Sequence, residues 1–435
     1  MRNYLVISGL FTLSASVIWG VNTLFLLDAG LNIFQVFIAN SAFTVGTILF
    51  EIPTGVVADT TGRRRSFLLS AATLMIGTLG YVVISVSGGG LVLFSIASLV
   101  LGIGFCFYSG AVEAWLVDAL NATGFDGQLD AIFARGAMVS GAAMLLGSVG
   151  GGLLGTIDLA WPYVLRAGLL ASAFVIGFIM MHDIGFTPRT TTLAELPDEL
   201  RSVLRASLSF GWNKTSLRLL MVVSIFQNAF MMWGFYAWQP YFLELLGRDA
   251  VWVAGVVSAL IALATIAGNA VVEFIARFCG KRSTVLFAST VALAAGAIGV
   301  GVADSFWPSV VLLLLAIAAM GVAVPVQQAY VHEVVPSTER ATVVSFMSMV
   351  GSAGGIGGPI GLGYLSRAQS VATGYVAGGL TTLLALPPIL LLRHLREPAD
   401  SIVGRRAGKR GPCAGQGLPE VAAIDAIARQ PELVR

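Results

Sequence analysis

Gly55-Val-Val-Ala-Asp59-Thr-Thr-Gly62-Arg63-Arg64-Arg65 separates two long apolar stretches, one from Ile33 to Ala58 and the next from Phe67 to Val86. Small residues suit a close-packed helix end. An acid follows, then a glycine turn, then three cations. That order fits a tight loop between two membrane helices on the cytoplasmic side, where Arg and Lys accumulate.

Composition supports the same class. Of the 435 residues, 57% are hydrophobic and only 11% are charged. Soluble domains carry about a quarter charged residues, so most of this chain must face lipid or other helices. With a net charge of +2, placement of the cations matters more than their sum. The basic residues form short loop clusters, which gives no surface for nucleic acid. Cys106, Cys279 and Cys413 lie far apart, the first in an apolar segment and the others on the expected cytoplasmic side. They predict no disulfide framework. The apolar run after Arg2 ends without a small-residue cleavage site and reads as a retained first helix.

A bilayer core needs about 20 apolar residues per helix. Twelve stretches qualify: roughly 4–27, 32–58, 66–86, 91–118, 131–156, 160–181, 217–246, 250–276, 284–303, 307–332, 341–366 and 371–392. They are called spans one to twelve below. An even count puts both termini on one side. With that side cytoplasmic, 22 of the 25 cations fall in cytoplasmic segments, Arg248 and Arg367 fall outside, and Arg166 lies within span six. The asymmetry predicts a multi-pass protein of the inner (plasma) membrane with both termini inside. The polar stretch from Asp183 to Ser216 divides the spans six and six. The expected organisation is therefore a six-helix bundle over 1–182 and a cytoplasmic loop over 183–216 that holds a short surface helix. A second six-helix bundle covers 217–396. A Gly-, Pro- and Arg-rich tail over 397–435 is expected to be disordered, apart from a weak helix near Glu420 to Arg429.

The halves echo each other. Gly62-Arg63-Arg64 after span two matches Gly280-Lys281-Arg282 after span eight. Gly147-Ser148-Val149-Gly150-Gly151-Gly152 in span five matches the Gly354 to Gly361 run in span eleven. A duplicated six-helix unit is typical of transporters that hold substrate between their repeats.

The loop first quoted resembles the signature of the major facilitator superfamily, Gly-x-Leu-Ala-Asp-Arg-x-Gly-Arg-(Lys/Arg). Gly55, Val57, Ala58, Asp59, Gly62, Arg63 and Arg64 hold its positions, with Thr60 in place of the usual Arg. Gly110 to Asp118 at the end of span four and Arg340 to Ser345 at the start of span eleven resemble further segments of that superfamily. The likeness covers residues 1 to about 396. It implies an all-α membrane protein of twelve helices in two pseudo-symmetric bundles. It also implies a conformational latch built from Gly55, Asp59, Gly62, Arg63 and Asp118, which joins the halves in one state and parts in the other. Arg64 and Arg65 read as topology determinants.

Charge inside a membrane is costly and each instance needs a reason. Glu51 lies eight residues before Asp59, about 12 Å along a helix, and Glu113 lies five before Asp118, about 7.5 Å. Glu51, Glu113 and Arg135 are the proton-coupling candidates. The competing reading is a fixed ion pair with Arg135, or snorkelling. Spans one, four, seven and ten would line a central cavity, as in the superfamily. Asn22, Gln227, Asn228, Trp233, Gln327 and Gln328 are the candidates there, since aromatics with a few amides suit an amphipathic ligand. Proton-coupled drug antiporters of the superfamily carry Gly-Pro-x-x-Gly-Gly in span five. Gly147, Gly151 and Gly152 stand at those glycines and Ser148 replaces the Pro. No cluster has metal-ligand spacing, and no phosphate-cradling loop is present, so neither metal nor cofactor is expected.

The combined expectation is a monomeric secondary active transporter in the lipid bilayer, exporting small amphipathic molecules in exchange for protons. Uptake of a nutrient by symport and a non-transporting sensor of the same fold are the alternatives. With no nucleophile or metal constellation, an enzyme is not expected.

Overall fold

The computed structural model describes residues 1–124, 129–188, 212–247, 250–335 and 340–402. Most of the central loop and the tail beyond Ile402 lie outside the described residues, and with them the two short helices expected there. The regular structure is helical throughout the described residues, apart from one bridge between Lys281 and Ser401.

Among the described residues, eleven stretches are long and apolar enough to cross a membrane by themselves. The remaining span is the first, divided into Arg2–Ser16 and Asn22–Asp28, neither long enough alone. Spans two and three are Ile33–Thr61 and Arg63–Val86, and span four is Leu91–Tyr108 followed by Ala111–Ala122. Spans five to ten are Leu129–Gly155, Trp161–Met180, Thr215–Leu246, Val251–Cys279, Arg282–Val302 and Phe306–Val334. Span eleven is Arg340–Ala368, and span twelve is Val371–Leu383 followed by Leu386–His394.

Spans one, four and twelve were expected to be continuous and are not. In span four, Gly110 adopts φ 72°, the left-handed region, and starts a new helix. In span twelve, Pro387 and Pro388 lack the N–H groups a continuing helix needs. Span one breaks without a proline. Its freed backbone groups are instead satisfied by Gln239 of span seven, which accepts from Thr23 N at 2.8 Å and donates to Trp19 O at 2.8 Å. A membrane interior offers little water, so such a break persists only where another group completes the hydrogen bonds.

Packing repeats between the halves. Added Cβ atoms at Gly147 and Gly151 of span five would meet Leu13, Ser16 and Val17 of span one. At Gly354 and Gly358 of span eleven they would meet Ile225 and Ala229 of span seven. These glycines let helices of the same half approach backbone to backbone. Neighbouring glycines of the same two spans face across. Gly152 abuts Gly255 of span eight, and Gly363 abuts Phe37 of span two.

The contacts between halves gather at one end, opposite the arginine-rich loops. Thr23 Oγ1 donates to Tyr236 O at 2.8 Å, and Ser258 Oγ lies 3.4 Å from Ser148 Oγ. Phe37 and Trp233 rings stand 6.0 Å apart. Towards the arginine end, Glu51 and Gly55 of span two are exposed. A side chain added at Gly55 would meet nothing within 4 Å among the described residues. The ordered chain does not stop at 396: Pro398–Asp400 form a turn of helix, and the segment stays packed through Ile402.

Candidate functional site

Two charge clusters occupy equivalent places in the halves. Span two runs to Thr61, and Gly62 turns the chain at φ 111°, a conformation that favours glycine. Span three then begins at Arg63. Its guanidinium meets Asp59 Oδ1 at 2.6 Å and Asp118 Oδ2, from the end of span four, at 3.8 Å. Asp183, three residues beyond span six, accepts from Arg64 N at 2.9 Å, placing an anion on a helix N-terminus. The Arg64 guanidinium donates to Phe178 O at 2.7 Å and lies 4.6 Å from the Phe178 ring. Trp115 Nε1 donates to His182 O at 2.8 Å, so the segment after span six is tied to span four as well. Arg64 thus has packing partners beyond its topological charge.

In the second half Gly280 turns at φ 63° and span nine begins at Arg282. Arg282 Nη2 meets Glu333 Oε1 at 2.8 Å at the end of span ten, and its Nη1 donates to Ala399 O. Asp400, 2% exposed, accepts from Ser283 N at 2.7 Å and from Ser283 Oγ at 2.8 Å. Ile402 N donates to Gly280 O at 3.0 Å. Each half therefore starts its third helix with an arginine paired to the end of its fourth. Each caps that helix with an aspartate returning after its sixth. The structure aligns Arg63 with Arg282, one residue away from the register read from the glycines.

The proton-coupling candidates do not form one group. Glu51 is exposed and lies in electrostatic range of Cys106 on span four. Glu113 sits in the first turn of Ala111–Ala122, where the helix dipole accommodates a negative charge, in electrostatic range of Tyr4 and Tyr108. Arg135 is exposed and reaches Met1 Sδ at 3.7 Å. Among the described residues it makes no ion pair with either acid.

The cavity candidates divide four ways. Trp233 is fully buried against Phe37, Phe230 and Tyr375. Gln227, 5% exposed, donates to Thr290 Oγ1 at 3.1 Å and ties span seven to span nine. Asn228 donates to Ser224 O at 2.9 Å, and Gln327 to Ser224 Oγ at 2.8 Å, so both converge on span seven. Gln328 is exposed. Asn22 belongs to a separate polar group near the seam. It donates to Asn40 Oδ1 at 3.0 Å and accepts from Tyr163 Oη at 2.9 Å. Tyr163 stacks at 5.7 Å on Tyr81 and lies in electrostatic range of Arg166 and of Tyr236 on span seven. Sequence reasoning named neither Asn40 nor Tyr163 and used Arg166 only as an exception to the charge count. The available signal was that lone arginine, since a charge inside a membrane-spanning helix is costly.

Among the described residues no group of three metal-ligating side chains occurs.

The sequence profile described as Major Facilitator Superfamily matches residues 4–278 and 253–433. No curated protein sequence matches the chain. Among solved structures, the nucleoside transporter NupG superposes with a TM-score of 0.75 at 12% identity, covering 90% of this chain and 98% of that one. A peptide transporter, POT, gives 0.70 at 14% identity, covering 92% and 95%. The human organic anion transporter MFSD10 gives 0.60 at 18% identity, covering 89% and 99%. At these identities the likeness is one of fold.

Proposed function

The chain belongs to the Major Facilitator Superfamily, and on that footing we propose that this membrane transporter exports small amphipathic compounds in exchange for protons by alternating access. The observation that carries the reading is the seam between halves. It is built from close backbone approaches at Gly152, Gly255 and Gly363 and from a few hydrogen bonds such as those of Gln239. Such a seam can part as a unit, because the glycine-mediated packing of spans one with five and seven with eleven stays within each half. Rocking of two parallel repeats about a site between them then exposes that site alternately.

With sidedness taken from the distribution of cations, the Arg63 and Arg282 clusters face the cytoplasm in this reading. The described arrangement is then closed towards the outside. An exporter loads its cargo in this arrangement and releases the proton it carried inwards. In this reading Glu51, exposed on the arginine-end half of span two, carries that proton, with Glu113 the second carboxylate available. In the alternate arrangement Asp59, Arg63 and Asp118 would latch the cytoplasmic end. Retention of that cluster favours a working transporter over a non-transporting sensor. The seam lies within one chain, so a monomer suffices.

A second reading keeps the machinery and reverses the flow. The solved neighbours named for nucleosides and peptides favour a polar nutrient as cargo. Purified protein in proteoliposomes with an imposed pH gradient separates the two. Export predicts that amphipathic compounds move against the proton flux. Movement only with the proton flux, or only of polar nutrients, overturns the export reading.

A further inference from the structure

Arg166 lies a turn and a half into span six and is 8% exposed. Buried charges in proteins are paired or hydrogen-bonded. Arg166 departs from that rule. Its Nε has no hydrogen-bond partner. Among the described residues no carboxylate forms an ion pair with it and no aromatic ring lies under its guanidinium. The groups in electrostatic range are the phenols of Tyr163 and Tyr81.

Asn40, 5% exposed on span two, leaves its Nδ2 without a partner. It joins the same group through Asn22 and Tyr163, and Tyr163 shares a helix face with Arg166, three residues on. The two unsatisfied atoms in this network are both donors. The network also reaches the seam, because Tyr81 and Tyr163 lie in electrostatic range of Tyr236 on the opposite half. What is lacking is an acceptor that carries negative charge, and such a group would match a guanidinium fork.

We propose that Arg166 and Asn40 form the headgroup end of the substrate site, and that the transported compound is an amphipathic organic anion whose oxyanion is held there. This rests on the reading of the chain as a transporter of amphipathic compounds and supplies their charge. The body of the compound would lie against Trp19, Phe235 and Tyr236, half-buried aromatics at the seam. When the seam parts, Tyr236 leaves with the second half and the anion keeps its donors on the first half.

Binding is measured on the full-length protein in detergent, by calorimetry, with 2-naphthoate, 2-naphthyl phosphate and the neutral 2-naphthamide. Wild type is expected to bind one of the anions about tenfold more tightly than the amide, the size of effect a charge-assisted bidentate contact supplies. The preferred anion tells a carboxylate headgroup from a phosphate. Arg166→Gln should remove the preference and leave amide affinity unchanged. If that variant does not yield folded protein, Arg166→Lys serves. It keeps the charge without the fork and should reduce the preference several-fold. Asn40→Ala should weaken the anions alone. Equal binding of anion and amide by wild type, no binding of either anion, or a preference that survives these substitutions overturns the proposal. No gradient is present, so the result is independent of transport direction. Export of neutral compounds by a protein that ignores anions sinks this proposal alone. Anion binding without export sinks the export reading alone.

Discussion

Gly152→Ala adds one methyl group where the halves come closest. An added Cβ lies 2.6 Å from Gly255 Cα and 2.8 Å from Gly255 N. Carbon atoms in ordinary contact stand ~3.5–4.0 Å apart, so spans five and eight must separate by roughly 1 Å. Both neighbours are backbone and cannot rotate away. Overpacking of this kind costs ~1–3 kcal/mol. An arrangement already parted at this end bears none of that cost, so the penalty becomes a population shift of ~5–150-fold towards it. Gly151→Ala is the control. Its Cβ meets Val17 of span one, in the same half, and should lower stability without biasing the two arrangements. Spin labels at Ser87 and Asp304, exposed at this end of opposite halves, report the separation by pulsed electron paramagnetic resonance in a background without the three cysteines. Gly152→Ala should move the distance distribution to longer values, and Gly255→Ala should do the same. The double variant should shift it by less than the sum, because both methyl groups crowd one contact and a single opening relieves both. A folded Gly152→Ala protein with an unchanged distribution would show that the seam does not govern the equilibrium.

Four further outcomes are expected. Asp59→Asn should reduce transport with little loss of membrane insertion, and wild-type rates in proteoliposomes would remove the latch role of the Asp59–Arg63–Asp118 cluster. Glu51→Gln and Glu113→Gln are expected to divide: one should abolish pH-gradient-driven transport, and uphill transport persisting in both would exclude these acids as proton carriers. Asp400→Ala leaves Ser283 N and Oγ without their acceptor and should destabilise the second half by ~1–3 kcal/mol, read as a lower Tm. Deleting residues 404–435, which spares the Glu397–Ile402 strap, should leave both Tm and transport intact.

The spans were legible because each needs a long apolar run, and no competing structure satisfies the backbone in lipid. The glycine runs were legible for a related reason. Gly147 and Gly151 recur four residues apart, as do Gly354 and Gly358, and that spacing keeps small residues on one helix face. What a linear pattern does not carry is which group completes a broken hydrogen-bond ladder. Span one has no proline or adjacent glycine pair at its break. The compensating residue, Gln239, lies more than 200 positions away. An amide in an apolar span signals that a polar partner exists, but the linear pattern does not say which one.

Arg166 poses the converse case. The residue is plain in the sequence, but a lone cation in an apolar span is compatible with an acid on any other helix. Only the spatial arrangement reveals that the phenols of Tyr81 and Tyr163 lie in electrostatic range of it and that no carboxylate among the described residues pairs with it. The same logic governs the paired clusters at the arginine end. Aligning glycines set Arg63 against Lys281. The physical requirement is that the first residue of the third helix reach the acid ending the fourth, which selects Arg282. Side-chain reach therefore sets the register of the repeat here more firmly than the turn residues do. On that ground Lys281→Ala should leave the second half's charge cluster intact, whereas Arg282→Ala should free Glu333 and loosen Ala399 together. Equal loss of stability in the two variants would restore the glycine register.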